Sequence, residues 1–222
     1  MTLGREKLRD LLSRAWRLQA TALCFGIFGL CSLLFTPLWF RLLPLAVRNP
    51  QLRVKLSRRC ISLFFRCFLQ MCRCLGVFDY RFEGFGELQA ERGIVLAANH
   101  PTFLDYVLIA SRLPETDCII KSGLERNFFL SSMIKSADYL INSRHEELLP
   151  LSQQRLQQGE CILIFPEGTR TVPGRELRLR RGCANIALRC HCDLRLIRIC
   201  CSEPYLAKNM KWYNLPRRRP LI

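Results

Sequence analysis

The hydrophobic pattern divides the chain into two unlike parts. Residues 18–40 carry no charged side chain and are bracketed by Arg17 and Arg41. As a helix rising about 1.5 Å per residue, that run is long enough to cross a hydrocarbon core of about 30 Å. Pro37 and Pro44 interrupt its later part, and the apolar pattern resumes over residues 42–47. Proline lacks the N–H that a helix interior needs. The pattern therefore predicts a membrane-embedded helical hairpin or a span, with the hairpin's turn inside residues 18–47. A second helix is predicted over residues 58–77, where Arg59, Arg66 and Arg73 recur on one face among Ile61, Phe64, Phe65, Phe68 and Leu69. Such a helix either lies in a bilayer interface or packs on a folded unit, and periodicity alone favours neither.

After Gly76 the period changes. Strands are predicted at 78–83, 93–98, 118–120, 139–141, 161–165 and 194–199, and helices at 102–112, from about 127, at 147–159 and at 182–189. This alternation predicts an α/β unit with a mostly parallel central sheet flanked by helices, its ligand site beyond the carboxyl ends of the strands. The organisation expected is a membrane-associating segment, 1–77, followed by a sheet-based domain, 78–222.

Charge sharpens the first part of this picture. The chain has 222 residues and a net charge of +16; residues 1–77 hold 13 basic and 2 acidic side chains, a net of +11. The basic excess falls in the most apolar segment, so an anionic membrane surface is a better partner than nucleic acid. Basic residues on both flanks of the apolar run favour insertion from the cytoplasmic face without a full crossing. Several of the 13 cysteines lie within apolar runs, and no signal-peptide cleavage pattern follows the apolar segment, which reads as reduced thiols facing the cytosol. Neither Cys72-x-Cys74 nor Cys190-His191-Cys192 has the spacing of a common zinc site, so no metal is expected.

Two strand exits carry unusual chemistry. At Asn99-His100-Pro101-Thr102-Phe103-Leu104-Asp105, a histidine leaves a buried strand and an aspartate follows five residues later. Within one helix these two would point about 140° apart. With His100 before the helix and Asp105 in its first turn, the carboxylate can reach the ring, giving a base and its orienting partner. A helix-capping His with a solvated Asp is the bland alternative. At Phe165-Pro166-Glu167-Gly168-Thr169-Arg170, a proline ends a strand and Arg170 offers a bidentate fork suited to a phosphate monoester. Arg175, Arg178, Arg180 and Arg181 follow, read as a solvated charged loop.

Together the two exits resemble the glycerolipid acyltransferase family, best known for the 1-acyl-glycerol-3-phosphate acyltransferases. The family's Asn-His-x-x-x-x-Asp block matches Asn99, His100 and Asp105, and its Phe-Pro-Glu-Gly-Thr-Arg block is complete at 165–170. Lys121 and Arg144 match the fainter second block; the fourth block lacks its proline at Ile197-Arg198-Ile199, and the chain ends earlier than the family pattern. The resemblance implies transfer of a fatty acyl group from acyl-CoA or acyl carrier protein to a lysophospholipid hydroxyl, with no bound cofactor. It implies that His100 and Asp105 are catalytic, and that Glu167, Gly168, Thr169, Arg170, Lys121 and Arg144 bind substrate. Two alternatives stand beside it: acylation of another lipid acceptor, such as an aryl-polyene type, and a basic membrane- or nucleic-acid-binding protein that keeps the fold without catalysis.

Overall fold

The computed structural model describes residues 2–124, 131–142 and 145–222. Two long helices come first, α1 (Thr2–Ala46) and α2 (Pro50–Cys74), then the short α3 (Phe85–Leu88). The α/β unit follows as β1 (Val95–Ala98), α4 (Asp105–Arg112), β2 (Thr116–Ile120), α5 (Ser131–Ala137), β3 (Leu140–Ile141), α6 (His145–Gln157), β4 (Cys161–Ile164), α7 (Gly182–Cys190) and β5 (Leu194–Ile197). The five strands form one parallel sheet in the order β3-β2-β4-β1-β5.

That order follows from crossover handedness. The chain moves outward from β1 through β2 to β3, then returns through β4 to β5 on the far side of β1. Right-handed crossovers place the helices of opposite travel on opposite faces. The side chains agree. Leu96, Ala98, Cys118 and Leu163 point into a core shared with α1, α2, α4 and α5, whereas Val95, Ile162 and Ile164 pack with Leu156, Ile186 and Ala187 of α6 and α7. Both faces of the central strands are thus covered, which is why β1 and β4 are buried at every position.

α2 is a packed helix. Ile61, Phe65, Phe68, Leu69 and Cys72 are buried in the same core as the sheet. Asn49 caps its start by accepting from the N–H groups of Gln51 and Leu52. The Arg stripe runs along the edge of that contact: Arg59 pairs with Glu115 at 2.6 Å, Arg66 Nε donates to the Ser111 carbonyl at 2.6 Å, and Arg73 pairs with Asp79 at 2.9 Å. The interfacial alternative for residues 58–77 gives way to packing.

The expected turn within residues 18–47 is absent. α1 runs unbroken through Pro37 and Pro44, and the hairpin turns instead at residues 47–49, between α1 and α2. Each proline removes one donor from a helix of 45 residues, and the surrounding turns carry the helix past it. One face of α1, with Ala20, Thr21 and Cys24, is buried; Phe25 meets Phe68 of α2 edge to face, and Phe28 packs on the same ring at a tilt. The other face exposes Leu23, Ile27, Leu30, Leu34 and Leu38. Among the described residues α1 is the one helix long and apolar enough to cross a membrane.

The strand expected at 78–83 reduces to a single bridge between Asp79 and Leu221, because this stretch pairs with the C-terminal residues and not with the sheet. The other expected strands lie where the pattern placed them; β1, β3, β4 and β5 are shorter than expected, and β2 starts two residues earlier, at Thr116. α5 begins at Ser131, and the expected start near residue 127 lies outside the described residues.

Candidate active site

The strand register puts the two unusual exits side by side. Ala97 of β1 pairs with Ile164 of β4, so the segments leaving them, 99–105 and 165–170, begin at the same level of the sheet's carboxyl edge. On its other side, β1 adjoins β5. Asn99 ties the β1 exit to the segment after β5: its Nδ2 donates to the Ile199 carbonyl at 2.8 Å and its Oδ1 accepts from the Ile199 N–H at 2.6 Å.

His100 precedes α4 and Asp105 is its first residue, the arrangement in which the two side chains can meet. They do: His100 Nδ1 lies 2.7 Å from Asp105 Oδ2. The same oxygen accepts from the Thr102 N–H at 2.9 Å. An anionic carboxylate can only accept, so Nδ1 carries the hydrogen and Nε2 is left as the free base. The His100 ring stacks on Phe165, with centroids 4.3 Å apart, and is 20% exposed. Asp105 is fully buried, and its Oδ1 has no hydrogen-bond partner among the described residues. Burial pushes its carboxyl up to about 6, against the opposing pull of His100 and the Thr102 N–H.

The 165–170 turn is built around that histidine. Glu167 is half-buried. Its Oε1 accepts from the His100 N–H at 2.8 Å, and both its oxygens accept from the Thr171 hydroxyl at 2.9 and 2.8 Å. The Thr171 N–H donates to the His100 carbonyl at 2.7 Å. Gly168 has φ +67°, a conformation that favours glycine, and a Cβ there would lie 3.1 Å from the Arg180 guanidinium. Arg180 is therefore part of the turn, its N–H donating to the Pro166 carbonyl at 2.8 Å. Thr169 is exposed at the turn's tip. Arg170 Nη1 donates to the Leu206 carbonyl at 2.9 Å, and its guanidinium lies 5.6 Å from the centre of the Phe103 ring.

Lys121 is exposed just beyond the end of β2, and Arg144 lies outside the described residues. Sequence reasoning did not single out Phe165 as a stacking partner, Thr171 as a link between the exits, or Arg180 as a lid over Gly168. Only Phe165 carried a signal, as an aromatic residue at the end of a buried strand. Among the described residues no group of His, Cys, Asp and Glu side chains is arranged to hold a metal ion.

A His–Asp pair with a free Nε2 beside an arginine-bearing turn can remove a proton from a hydroxyl held next to an anionic group. The model of the acyltransferase family matches residues 79–202, more than half of the chain and the whole of this constellation. The chain belongs to the acyltransferase family. A solved structure agrees with it in fold. Over 97% of this chain and 83% of the other, the acyltransferase is similar to the crystal structure of the 1-acyl-sn-glycerophosphate acyltransferase PlsC from Thermotoga maritima, with 19% sequence identity and a TM-score of 0.69. In this acyltransferase both strand-exit blocks fall inside the family-matched region, whereas α1, α2 and the last twenty residues fall outside it.

Proposed function

We propose that this acyltransferase is a membrane-bound glycerolipid O-acyltransferase. It moves a fatty acyl group from an acyl-CoA or acyl-carrier-protein thioester to the free hydroxyl of a lysophospholipid such as 1-acyl-glycerol-3-phosphate. The observation that carries the reading is the 2.7 Å His100–Asp105 contact, with Nε2 unpartnered among the described residues, beside the Arg170 turn.

In the proposed step, His100 Nε2 takes the acceptor's hydroxyl proton as that oxygen attacks the thioester carbonyl. The C–S bond breaks, and the leaving thiolate takes the proton back from the imidazolium. Asp105 holds the ring and offsets its positive charge while the proton is on it. With Nη1 held by the Leu206 carbonyl, the remaining N–H groups of Arg170 are left to bind the acceptor's phosphate. Lys121 and Arg144 add positive charge for the substrates. Glu167 acts by holding the His100 backbone, so its contribution is positional. The chemistry uses no metal or bound cofactor.

Residues 1–77 are the membrane-associating segment of this reading, and 78–222 the catalytic domain. Both ends of the apolar run are tied to the rest of the fold: Arg17 donates to the carbonyls of Pro216, Arg217 and Arg218, and Trp39 Nε1 lies 3.4 Å from Ser57 Oγ of α2. α1 then enters the bilayer from the side that holds the catalytic domain, the cytoplasmic face, with its exposed apolar stripe toward lipid.

The direct test is thiol release from an acyl thioester in the presence of 1-acyl-glycerol-3-phosphate and vesicles. Release should depend on the acceptor, and its absence over a panel of lysophospholipids would reject the reading. Arg170→Lys keeps the charge but loses the planar fork. It is expected to raise the KM for the acceptor about tenfold or more, with little change for the donor; a rise for the donor alone would reverse the assignment.

The raised Asp105 carboxyl sets a pH dependence. Below about 6 it binds a proton and loses the anion that orients His100, so activity should fall as pH drops through that value. Stability should move the other way. Between the ordinary carboxyl value of about 4 and about 6, the folded state binds more protons than the unfolded one, so this group's contribution to stability decreases as pH rises through that window. Asp105→Asn should flatten that stability profile while lowering activity. A profile unchanged by the substitution would show that Asp105 does not titrate there.

A further inference from the structure

The segment after the family-matched region carries a cationic and aromatic surface that the reaction does not use. Residues 208–219 read Lys-Asn-Met-Lys-Trp-Tyr-Asn-Leu-Pro-Arg-Arg-Arg, with five cations and no acid, and no Asp or Glu follows Glu203 in the chain. Trp212 is 49% exposed and Tyr213 46%, packed edge to face with centroids 5.7 Å apart. Lys211 Nζ lies 5.5 Å from the Tyr213 ring centre, and Lys211, Arg217 and Arg218 are all exposed. The Arg217 and Arg218 side chains make no hydrogen bond or ion pair among the described residues, unlike Arg219, which is held by the Arg73 and Phe78 carbonyls.

This surface has a fixed place relative to α1. The buried Arg17 guanidinium is clasped by the carbonyls of Pro216, Arg217 and Arg218 at 3.0, 2.7 and 2.8 Å, and Arg14 reaches the Leu215 carbonyl at 3.5 Å. Arg17 is the last charge before the uncharged run 18–40. The segment therefore sits at the level where an inserted α1 would leave the hydrocarbon, next to Trp16, which is also exposed. Tryptophan and tyrosine favour that level, and lysine and arginine there attract anionic headgroups.

We infer that residues 208–218 form a second membrane contact, a ledge that binds the anionic headgroups of the bilayer into which α1 inserts. Two residues before its start, the Leu206 carbonyl holds Arg170. The ledge thus connects the headgroup layer to the candidate acceptor site through a few residues of continuous backbone. The exposed aromatic pair and the continuity with α1 favour a lipid surface over an acidic protein as the occupant. The inference rests on the membrane reading of α1, and the experiment separates the two.

The chain has three tryptophans, Trp16, Trp39 and Trp212. W16F/W39F leaves Trp212 as the reporter of the ledge; W16F/W212F leaves Trp39 as the reporter of α1. Each full-length variant is placed in phosphatidylcholine vesicles with and without about one-third phosphatidylglycerol, containing brominated lipids as quenchers. Trp39 should be quenched in both compositions. Trp212 should be quenched, with a blue shift, only with phosphatidylglycerol, and 1 M salt should release it. Adding K211Q/R217Q/R218Q should abolish the phosphatidylglycerol dependence at Trp212 and leave Trp39 unchanged; each cation near an anionic surface contributes about fivefold to binding. Quenching of Trp39 without Trp212 would overturn the ledge and keep the membrane reading, and quenching of neither would overturn both. Equal quenching of Trp212 in both compositions would overturn the headgroup specificity. Protection of Trp212 from an aqueous quencher by an acidic carrier protein, with no lipid quenching, would reassign the surface to that protein.

Discussion

His100→Ala is expected to lower acyl transfer by about 100- to 10,000-fold, the range contributed by a positioned general base. The fold should tolerate the change, because the ring's contacts are few: the Asp105 carboxylate on one edge and the Phe165 face. The backbone hydrogen bonds of His100 to Glu167 and Thr171 do not need the imidazole. Thiol release should therefore fall while the far-ultraviolet circular dichroism spectrum and vesicle association stay as in the parent. A loss smaller than tenfold would remove His100 from the proton transfer. Asp105→Asn should also be severe, for a different reason. Asparagine can present its NH₂ to Nδ1, which moves the ring hydrogen to Nε2 and abolishes the free base. The two losses should not add, because both act on the same proton.

Arg58→Ala is expected to destabilise the fold by about 3–5 kcal/mol, the usual result of removing one partner from a buried ion pair. Arg58 is 4% exposed and faces three groups from other elements: the Asp117 carboxylate at 3.3 Å, the Glu160 carboxylate at 2.7 Å and the Ala137 carbonyl at 2.8 Å. Asp117 has no exposed surface, and burial pushes its carboxyl up while Arg58 and Arg155 pull it down. Without Arg58, the nearest compensation is Arg155 at 3.8 Å. At about 2–4 °C per kcal/mol for a chain of this size, the unfolding midpoint should fall by about 6–20 °C. R58A/D117N should recover much of the loss. The amide oxygen can still accept from the Cys118 N–H, which Asp117 Oδ1 now does at 2.7 Å, while the stranded charge is gone. A midpoint in Arg58→Ala within 2 °C of the parent would show that water enters and replaces the guanidinium.

Arg58 also shows where sequence reading stops. It stands beside Arg59 in a basic stretch, and nothing local distinguishes the two. One is buried against the sheet and the other is 61% exposed and paired with Glu115. The difference is the angular position of each on α2, set by which face meets Phe65, Phe68 and Leu69 in the core. The Arg stripe was legible as a stripe because its spacing is a property of the helix. Its partners, the Ser111 carbonyl at the end of α4, Glu115 just after it and Asp79 before β1, come from two other segments of the chain.

At the candidate site the reverse holds. His100 and Asp105 could be paired from the sequence because the contact is local: one residue lies just before a helix and the other in its first turn. Arg170 and the Gly168 turn were legible for the same reason, since Pro, Gly and strand end are adjacent in the chain. The role of Glu167 was not. The sequence offered it as a substrate-binding carboxylate, and the structure adds its bond to the His100 N–H from the neighbouring strand's exit.

The sequence by itself determined what depends on near neighbours. It specified the alternation of buried strands and helices, the apolar run without charge, and the chemistry at two strand exits, because burial period, charge and turn residues act over a few positions. Only the tertiary structure decided what depends on distant partners. α1 continues past its prolines and packs on α2 through Phe25 and Phe28, so the hairpin turns at residues 47–49. Competition between pairing edges takes residues 78–83 away from the sheet and joins Asp79 to Leu221. The return of β4 between β2 and β1 brings Phe165 and Glu167 onto His100. Each of these outcomes is settled by which surfaces are left to be covered once the sheet has formed, and such surfaces are assembled from residues far apart in the chain.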